Sequence, residues 1–208
     1  MAVVALVAAL VGYLLGSIPT AYLLVRWTSG VDIRTRGSGN VGALNAYEVT
    51  GKPWIGIVTA LVDALKGWAA VMLARWCCET EFGVVATAGV MAVVGHTFNV
   101  FLRGHGGRGL ATAAGVLLGS SLLPLLLWLL MWVTGYLAIR RDIHVGNMTA
   151  TIATPILIAS APEPLVRMLL LLPHAGMLEH TLFVVGLAVP IFVRHLEPIR
   201  ALFRRERD

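Results

Sequence analysis

The chain has 208 residues, of which 58% are hydrophobic and only 13% are charged. Soluble domains carry about 25% charged residues, so this composition excludes an ordinary soluble domain and predicts an integral membrane protein. The net charge of +5 does not indicate a nucleic-acid-binding protein, because the basic residues stand singly between apolar runs instead of forming a patch with interleaved aromatic residues. We therefore interpret the basic residues as signals of membrane topology.

The first apolar run covers residues 2–25 and lacks the basic start of a secretory signal peptide. Its length suits a retained helix that spans the bilayer. Arg26 follows this run directly, and Lys and Arg collect on the cytoplasmic side of membranes. We expect the N-terminus to lie outside.

A polar, glycine-rich segment, residues 32–52, separates the first two apolar runs. Residues 37–42 are small enough for the backbone to turn sharply and to direct several amide N–H groups at one anion. Arg34 and Arg36 add positive charge beside them. A solvated loop that uses glycines only for its turns is an equally good interpretation of this segment alone.

The second span is predicted at residues 54–74 and the third at 83–102, joined by an outer loop at 75–81. Asp63 and Lys66 lie three residues apart, hence on one face of the second helix. An unpaired charge at mid-membrane costs about 2.5–3.5 kcal/mol on insertion scales, so we expect the two residues to pair or to face a polar interior. A structural ion pair and a direct role toward a substrate both remain open.

Cysteine usage indicates neither a disulfide framework nor a metal site. Cys77 and Cys78 are adjacent and lack the spacing of zinc ligands. We expect both to be free thiols near a helix end, and we expect no metal and no other cofactor.

A second glycine-rich basic loop, residues 103–109, follows the third span. His96 and Asn99 precede it within about two turns, and histidine is the usual side chain for proton transfer near neutral pH. A lone histidine on an apolar helix is more often a packing residue, but the basic loop makes a site role equally tenable. The loop runs into residues 110–112 as a phosphate loop runs into a helix N-terminus, without the ending of a Walker motif.

The remaining chain predicts four more spans. Residues 110–139 carry no charge, and one helix of that length would reach about 45 Å, so we expect two short helices broken near residues 119–124. A cytoplasmic loop at residues 140–147 then leads to a sixth span at 148–161. An external segment at 162–180 precedes the last span at 181–193, and the tail covers 194–208. We therefore predict an all-α protein of seven transmembrane helices that forms one domain over residues 1–208. In this arrangement all but three of the 16 Lys and Arg residues lie on the cytoplasmic side, together with the C-terminus.

Four motifs occur in one order through roughly the first half of the chain. They read LGSIPTAYLL at residues 15–24, GSGNVGALN at 37–45, DALKG at 63–67 and GHTFNVFLRGHGGRGLAT at 95–112. In these motifs the chain resembles the PlsY family of membrane acyl-phosphate:glycerol-3-phosphate acyltransferases. The resemblance implies a multi-pass protein of the inner membrane whose cytoplasmic site transfers a fatty acyl group from acyl phosphate to glycerol 3-phosphate. The product is lysophosphatidic acid, a precursor in phospholipid synthesis.

The resemblance also implies site residues. Catalytic roles fall to His96, close to the reacting hydroxyl, and to Ser38. The expected contacts to phosphate and substrate are Arg34, Gly39, Asn40, Asn45, Lys66, Gly106, Gly107, Arg108, Thr112 and His195. An acyl phosphate has a good leaving group, so orientation and charge stabilisation suffice without an enzyme nucleophile. We expect a monomer that contacts membrane lipid and binds no nucleic acid.

The chain departs from the family pattern at several positions. Leu44 and Glu48 stand where the pattern GATNxxR has Thr and Arg, Arg108 replaces a lysine, and Pro198 replaces an asparagine. Two alternatives follow, namely a diverged relative that acylates another hydroxyl and a non-catalytic membrane protein that binds lipid or anions. A channel or carrier is disfavoured, because the sequence shows no inverted repeat.

Overall fold

The computed structural model describes residues 2–77, 81–172 and 176–204. Within these ranges the regular structure is helical, and the exception is one isolated antiparallel bridge between Ser121 and Leu170. Six segments are long and apolar enough to cross a bilayer, namely Ala2–Ser29, Pro53–Cys77, Phe82–Leu102, Leu122–Ile139, Ile143–Ser160 and Met177–Leu202. The prediction of an all-α membrane protein is confirmed, whereas the seventh span, at the shorter apolar helix Leu110–Ser120, stays a prediction.

Parts of three predicted segments lie outside the described residues. They are residues 78–80 of the outer loop predicted at 75–81, which include the second cysteine, Cys78, then residues 173–175 of the external segment and residues 205–208 of the tail. Cys77 is described and is an exposed free thiol. The chain divides into two compact units, Met1–Gly119 and Ser120–Asp208, and each is described by itself.

The first unit contains six α-helices. They are α1 (Ala2–Gly16), α2 (Thr20–Ser29), α3 (Ala43–Thr50), α4 (Pro53–Cys77), α5 (Phe82–Thr97) and α6 (Leu110–Ser120). The membrane span predicted at residues 2–25 is confirmed within the apolar segment Ala2–Ser29, but it is not one continuous helix, because Pro19 has no N–H to continue the hydrogen bonding of α1 and the chain restarts as α2. The glycine-rich segment is also more ordered than a loop. It contains a 3-10 turn, Ile33–Thr35, and then α3, which ends at Gly51 in the left-handed conformation.

Small residues allow the helices of this unit to approach closely. A β-carbon on Gly12 would overlap the carbonyl of Ala88, and one on Gly16 would overlap the carbonyl of Ala92, so α1 and α5 pack backbone against backbone. Close packing of this kind is the main source of helix association in lipid, where burial of apolar surface provides little driving force. The glycines therefore hold α1 and α5 in direct contact.

Helix α6 is short and runs beside the second half of α4. Its first turn packs at Thr112 against Gly67, and its last turn lies near Arg75, whose Nη1 donates to the carbonyl of Gly119 at 3.2 Å. Eleven residues of helix extend about 16 Å, roughly half of a bilayer core of about 30 Å. Helix α6 therefore begins beside the middle of α4 and ends beside its last turns.

The second unit contains α7 (Leu122–Thr134), which a π-helical turn extends over Gly135–Ile139, then α8 (Ile143–Ser160), α9 (Glu163–Met168) and α10 (Met177–Arg204). The predicted break near residues 119–124 is confirmed. Ser121 is extended, and its neighbours pair with the chain after α9, since Leu122 N donates to Leu169 O and Leu171 N donates to Ser120 O, both at 2.9 Å.

Two predicted spans begin too late in the sequence. Helix α8 starts at Ile143 instead of residue 148, because the Asp142 carboxylate accepts hydrogen bonds from His144 N and Val145 N and caps the first turn. Helix α10 covers Met177–Arg204 instead of residues 181–193, with Pro190 and Pro198 inside it. The predicted cytoplasmic loop at residues 140–147 shrinks accordingly.

Candidate active site

Five separate segments of the first unit meet at one cleft. They are the break between α1 and α2, the first glycine-rich segment, the middle of α4, the end of α5 and the second glycine-rich loop. The residues that line the cleft are Ile18, Pro19, Thr20, Val41, Asp63, Lys66, His96, Asn99, Gly106 and Gly107. The cleft thus contains polar side chains that the sequence places far apart.

Two polar side chains stabilise the break between α1 and α2. Lys66 Nζ donates to the carbonyl of Ile18 at 2.8 Å, and Asn99 Nδ2 donates to the carbonyl of Ser17 at 2.6 Å. The hydroxyl of Ser17 in turn donates to the carbonyl of Gly95 at 3.1 Å. Backbone carbonyls at membrane depth need donors from the protein or from a polar cavity. The broken helix therefore depends on α4 and on the residues that follow α5.

Three ionisable side chains meet at one carboxylate oxygen. Asp63 Oδ1 lies 2.8 Å from Lys66 Nζ and 3.7 Å from His96 Nδ1. The exposed fractions of Asp63, Lys66 and His96 are 2%, 5% and 6%, so the cluster is shielded from solvent. The prediction that the two charges of the second span pair or face a polar interior is confirmed. Removing one partner of such a buried pair leaves an uncompensated charge, which costs about 3–5 kcal/mol.

The two glycine-rich segments come together at Gly107. A β-carbon at this position would lie 2.7 Å from the carbonyl oxygen of Val41 and would overlap Nε2 of His96. The amide of Gly107 donates to the carbonyl of His96 at 3.0 Å. Gly106 packs equally closely on the carbonyls of His96 and Thr97. Only glycine fits at both positions, so the loop backbone lies directly against the histidine.

Asn45 organises the first glycine-rich segment from the first turn of α3. Its Oδ1 accepts a hydrogen bond from Ser38 N at 3.0 Å, and its Nδ2 donates to the carbonyls of Asn40 at 2.9 Å and Arg36 at 3.2 Å. Its side chain is buried, and Gly37, whose φ is +57°, packs against Oδ1. The polar atoms of Asn45 therefore hold the loop in shape, and its predicted contact with substrate stays a prediction.

Arg34 is held within its own segment by Asp32. Arg34 Nε donates to Oδ1 at 3.0 Å and Nη2 donates to Oδ2 at 2.6 Å, while the guanidinium lies over the ring of Tyr22 at 5.3 Å. These hydrogen bonds hold the pKa of Asp32 below its ordinary value, and the carboxylate raises the pKa of Arg34. The charge of Arg34 is thus largely compensated inside the segment, and contact with a phosphate stays a prediction.

The other predicted site residues of the first unit differ in exposure. Ser38 is exposed, Gly39, Asn40 and Arg108 are half-buried, and Thr112 is fully buried in the first turn of α6. Their contacts with a substrate stay predictions. The sequence interpretation missed Thr20, which lines the cleft. The Ser-Ile-Pro triplet within the first apolar run was the signal for a break that exposes it.

His195 lies in the second unit and is fully buried. Its Nδ1 is 2.8 Å from the carbonyl of Ile191, its Nε2 is 3.2 Å from Asn147 Nδ2, and Asn147 Oδ1 accepts from Trp132 Nε1 at 2.8 Å. A carbonyl accepts only, so Nδ1 carries the proton and Nε2 accepts from the amide. This network assigns a neutral imidazole. Contact between His195 and a substrate stays a prediction.

The described residues offer no metal centre, since they contain no group of three or more His, Cys, Asp or Glu side chains that could hold an ion. The polar cluster around Asp63 instead combines one carboxylate, one ammonium group and one imidazole. Together with the glycine backbone, this arrangement suits an anionic ligand and a proton transfer.

Known proteins match almost the whole chain. The model of the family described as glycerol-3-phosphate acyltransferase matches residues 6–205. The protein of that name from Geobacter sulfurreducens is 43% identical over 194 residues, which cover 92% of this chain and 90% of the relative. Its counterpart from Geotalea daltonii is 42% identical over 191 residues, covering 91% and 89%.

The fold also matches a solved structure. The crystal structure of PlsY, an integral membrane glycerol 3-phosphate acyltransferase, in its glycerol 3-phosphate form has a TM-score of 0.78 at 30% identity, and the match covers 96% of this chain and 92% of that one. The lysophosphatidic acid form of the same protein has a TM-score of 0.75 with the same coverage.

Proposed function

Because the chain belongs to the glycerol-3-phosphate acyltransferase family, we propose that it transfers a fatty acyl group from acyl phosphate to glycerol 3-phosphate and forms lysophosphatidic acid. The observation that carries this proposal is the cleft where both glycine-rich segments meet at His96. The solved relative has a glycerol 3-phosphate form and a lysophosphatidic acid form, which agree with this acceptor and product.

The cleft offers donors for a phosphate group. An ammonium group has three N–H donors, and Lys66 donates one to the carbonyl of Ile18 while its Nζ forms an ion pair with Asp63 Oδ1, so a donor remains for an anion in the cleft. Gly106 and Gly107 bring backbone to the same point, and the chain then enters α6, whose N-terminus favours negative charge. We assign the phosphate of the donor to Lys66, this loop and Arg108, with Thr112 behind it.

The first glycine-rich segment contributes Val41 to the lining of the cleft. Ser38, Gly39 and Asn40 belong to a turn whose shape Asn45 maintains. We assign Ser38 and this turn to contacts with phosphate and hydroxyl groups, and Asn45 to positioning. Arg34 adds positive charge at the rim, reduced by its pairing with Asp32.

The reaction needs no covalent enzyme intermediate. The hydroxyl oxygen of the acceptor attacks the acyl carbonyl carbon, the bond between that carbon and the phosphate oxygen breaks, and the phosphate leaves with the electron pair. We assign removal of the hydroxyl proton to His96 Nε2, which faces the glycine loop, and the proton then passes to the departing phosphate. Orientation of two bound substrates supplies the rest of the acceleration.

Two of the substitutions that separate the chain from the family pattern, at Leu44 and Glu48, lie outside the lining of the cleft. Leu44 and Glu48 lie four residues apart on the exposed face of α3, and neither belongs to the cleft residues. Glycerol 3-phosphate therefore remains the proposed acceptor.

The membrane arrangement of the proposal has seven spans in one domain over residues 1–208, with the N-terminus outside and the site open to the cytoplasm of the inner membrane. Trp54 and Trp76 are exposed at the two ends of α4. They are separated by about 33 Å of helix, which suits aromatic anchors at both faces of a bilayer core of about 30 Å. The distribution of Lys and Arg then orients the chain. We propose a monomer, since the cleft of the first unit is formed within one chain.

One assay tests the proposal. Purified protein in liposomes receives palmitoyl phosphate and glycerol 3-phosphate, and both inorganic phosphate and acylated product are measured. We expect equal amounts of phosphate and lysophosphatidic acid. Phosphate release without acylated glycerol 3-phosphate would indicate another acceptor, and the absence of both products from folded protein would favour a non-catalytic relative. Thr59→Val serves as a matched control, because Thr59 is buried in α4 one turn from Asp63 but does not line the cleft.

A further inference from the structure

Thr20 begins helix α2 at the break in the first membrane span, and its hydroxyl group has no hydrogen-bond partner among the described residues. A threonine inside a helix can donate to the carbonyl four residues earlier, as Thr28 does to Leu24 at 2.6 Å. Thr20 does not continue this pattern, because the residue four positions before it is Gly16, at the end of α1. The break in the span therefore leaves this hydroxyl without a partner.

The Thr20 side chain is also enclosed by the protein. Its exposed fraction is 8%, and its Oγ1 is buried. The residue lines the cleft together with Lys66 and Gly107, where a substrate would lie beside it. A buried hydroxyl without a partner destabilises a protein, because it has lost its hydrogen bonds to water. At the wall of a cleft, such a group indicates a ligand that supplies the missing partner.

The same end of α2 presents backbone donors. The first hydrogen bond of the helix runs from Leu23 N to the carbonyl of Pro19 at 3.0 Å, and no side chain caps the helix. The N–H groups of Ala21 and Tyr22 therefore have no partner within the helix. A helix N-terminus of this kind carries a partial positive charge and favours an anion. The Thr20 hydroxyl and these amides thus belong to one end of α2, which borders the cleft.

The charged side chains of the cleft do not compensate this partial positive charge. Asp63 is the one acidic residue in the cleft lining, and its Oδ1 lies 2.8 Å from Lys66 Nζ, which pairs with it. Lys66 also donates to the carbonyl of Ile18 at 2.8 Å, so its ammonium group adjoins the break just before Thr20. The cleft thus combines a paired cation, a hydroxyl donor and a helix N-terminus, and an anionic oxygen is the ligand that fits these donors.

We propose that the N-terminus of α2, together with the Thr20 hydroxyl group, binds an anionic oxygen of the acyl phosphate donor. This inference rests on the proposed function and adds a contact to the assignment of Lys66, the second glycine-rich loop and Arg108. The oxygen belongs either to the phosphate group or to the acyl carbonyl, which gains negative charge as the acceptor hydroxyl attacks. The phosphate contact is made when the donor binds, whereas the carbonyl contact strengthens only in the transition state.

Two substitutions at one position test the inference. Thr20→Val removes the hydroxyl group at nearly constant volume, and Thr20→Ser retains it. For each purified variant, kcat and the KM of both palmitoyl phosphate and glycerol 3-phosphate are measured. The inhibition constant of hexadecylphosphonate against palmitoyl phosphate is measured as well, because this compound has a phosphonate group and no acyl carbonyl.

The two sources of the anionic oxygen predict different results. A contact with the phosphate predicts that Thr20→Val raises the KM of palmitoyl phosphate and the inhibition constant of hexadecylphosphonate together, by about 10- to 100-fold. A contact with the carbonyl oxygen predicts a loss of kcat of about the same size with an unchanged inhibition constant. In both cases Thr20→Ser should stay within about threefold of the wild type, and the KM of glycerol 3-phosphate should not change.

Thr59→Val is the matched control, because Thr59 also has a buried hydroxyl without a hydrogen-bond partner among the described residues but does not line the cleft. The inference is overturned if Thr20→Val resembles this control in every constant. It is also overturned if Thr20→Ser loses as much as Thr20→Val, since the shape of the side chain would then be responsible.

Folding is measured on the same preparations. Loss of a hydroxyl that has no partner should not lower the unfolding temperature of the ligand-free protein, so Thr20→Val should unfold no earlier than the wild type. If Thr20→Val does not fold, Thr20→Ala removes the same hydroxyl and is held to the same outcomes. Failure of the proposed function is distinguishable, since the wild-type protein itself would then form no acylated product.

Discussion

Gly107 lies so close to His96 that a β-carbon on the glycine would overlap Nε2 of the imidazole. The same β-carbon would lie 2.7 Å from the carbonyl oxygen of Val41, which belongs to the other glycine-rich segment. This one residue therefore joins the two loops around the histidine. The cleft therefore needs glycine at this position because a side chain would not fit, and not because the backbone must be flexible.

Gly107→Ala should lower kcat by at least about 10-fold, because the methyl group has to displace either the imidazole or the Val41 carbonyl, and small misplacements of reacting groups cost about 100-fold in rate. The measurement is steady-state phosphate release at saturating substrates. Gly83→Ala is the matched control, since a β-carbon there meets open space in the first turn of α5. Wild-type turnover by Gly107→Ala would contradict the placement of His96.

Removing the buried charges of Asp63 and Lys66 together should affect stability and activity differently. Asp63→Asn or Lys66→Met alone leaves a buried charge without its partner and should destabilise the protein by about 3–5 kcal/mol, whereas the double variant should recover much of that loss. Activity should not return with the double variant, because Lys66, the proposed phosphate ligand, is absent. Thermal unfolding and phosphate release measured on the same preparations decide this. A double variant with near-normal turnover would show that the pair is only structural.

Asn45→Asp should damage the first glycine-rich segment although it is nearly isosteric. The carboxylate can still accept from Ser38 N, but it cannot donate to the carbonyls of Arg36 and Asn40 and instead faces them with negative charge. We expect a loss of about 1–3 kcal/mol in stability and a larger loss in kcat/KM. Tyr47→Phe, on the exposed face of the same helix, should change neither quantity. Equal activity of Asn45→Asp and wild type would mean that the turn keeps its shape without this side chain.

The Asp32–Arg34 pair predicts a small pH dependence of stability. The pKa of Asp32 is lower in the folded protein than in the unfolded chain, chiefly because Arg34 donates hydrogen bonds to its carboxylate. The stabilisation is therefore complete above the unfolded-state value of about 3.9 and is lost as the pH falls through the lower folded-state pKa. Asp32→Asn should cost less than about 1 kcal/mol at pH 7, since the pair is partly exposed, and should cost less at the acid end than at pH 7. Unfolding temperatures at pH 7 and pH 3 measure the difference, and an equal cost at both would contradict the assignment.

Glu48→Arg should improve the use of glycerol 3-phosphate without changing the chemical step. The side chain is exposed on α3 and lies outside the cleft lining, so its charge acts on the approach of a dianionic acceptor. We expect a KM for glycerol 3-phosphate a few-fold lower at low ionic strength, an unchanged kcat and a smaller difference at high salt. Glu163→Gln, an exposed acidic residue of the second unit, should leave both constants unchanged. A salt-independent change would point to direct contact instead.

Much of the architecture is determined by local chemistry that the sequence displays. The apolar runs predict the membrane helices, the uncharged stretch that is too long for one span predicts the break at Ser121, and the spacing of Asp63 and Lys66 predicts a shared helix face. The glycine-rich segments predict two sites where backbone approaches closely. Each of these inferences needs only neighbours along the chain.

Other features follow from contacts between distant segments. The first apolar run hides a helix break, because a break in a membrane helix is tolerated only where other groups satisfy the freed carbonyls, and here Lys66 and Asn99 do so from elsewhere in the chain. The sequence predicts that Asn45 contacts a substrate. In the structure its Oδ1 accepts from Ser38 N and its Nδ2 donates to the carbonyl of Asn40, so both ends of its amide are hydrogen-bonded within its own segment.

The sequence by itself determined the class of protein and the approximate positions of its long apolar spans. Only the tertiary structure decided that Asp63, Lys66 and His96 share one carboxylate oxygen and that Gly107 brings the second loop against them. The physical reason is that periodicity and composition report which faces are apolar, whereas the meeting of two loops depends on how helices pack through small residues, and that packing has no signature within either loop.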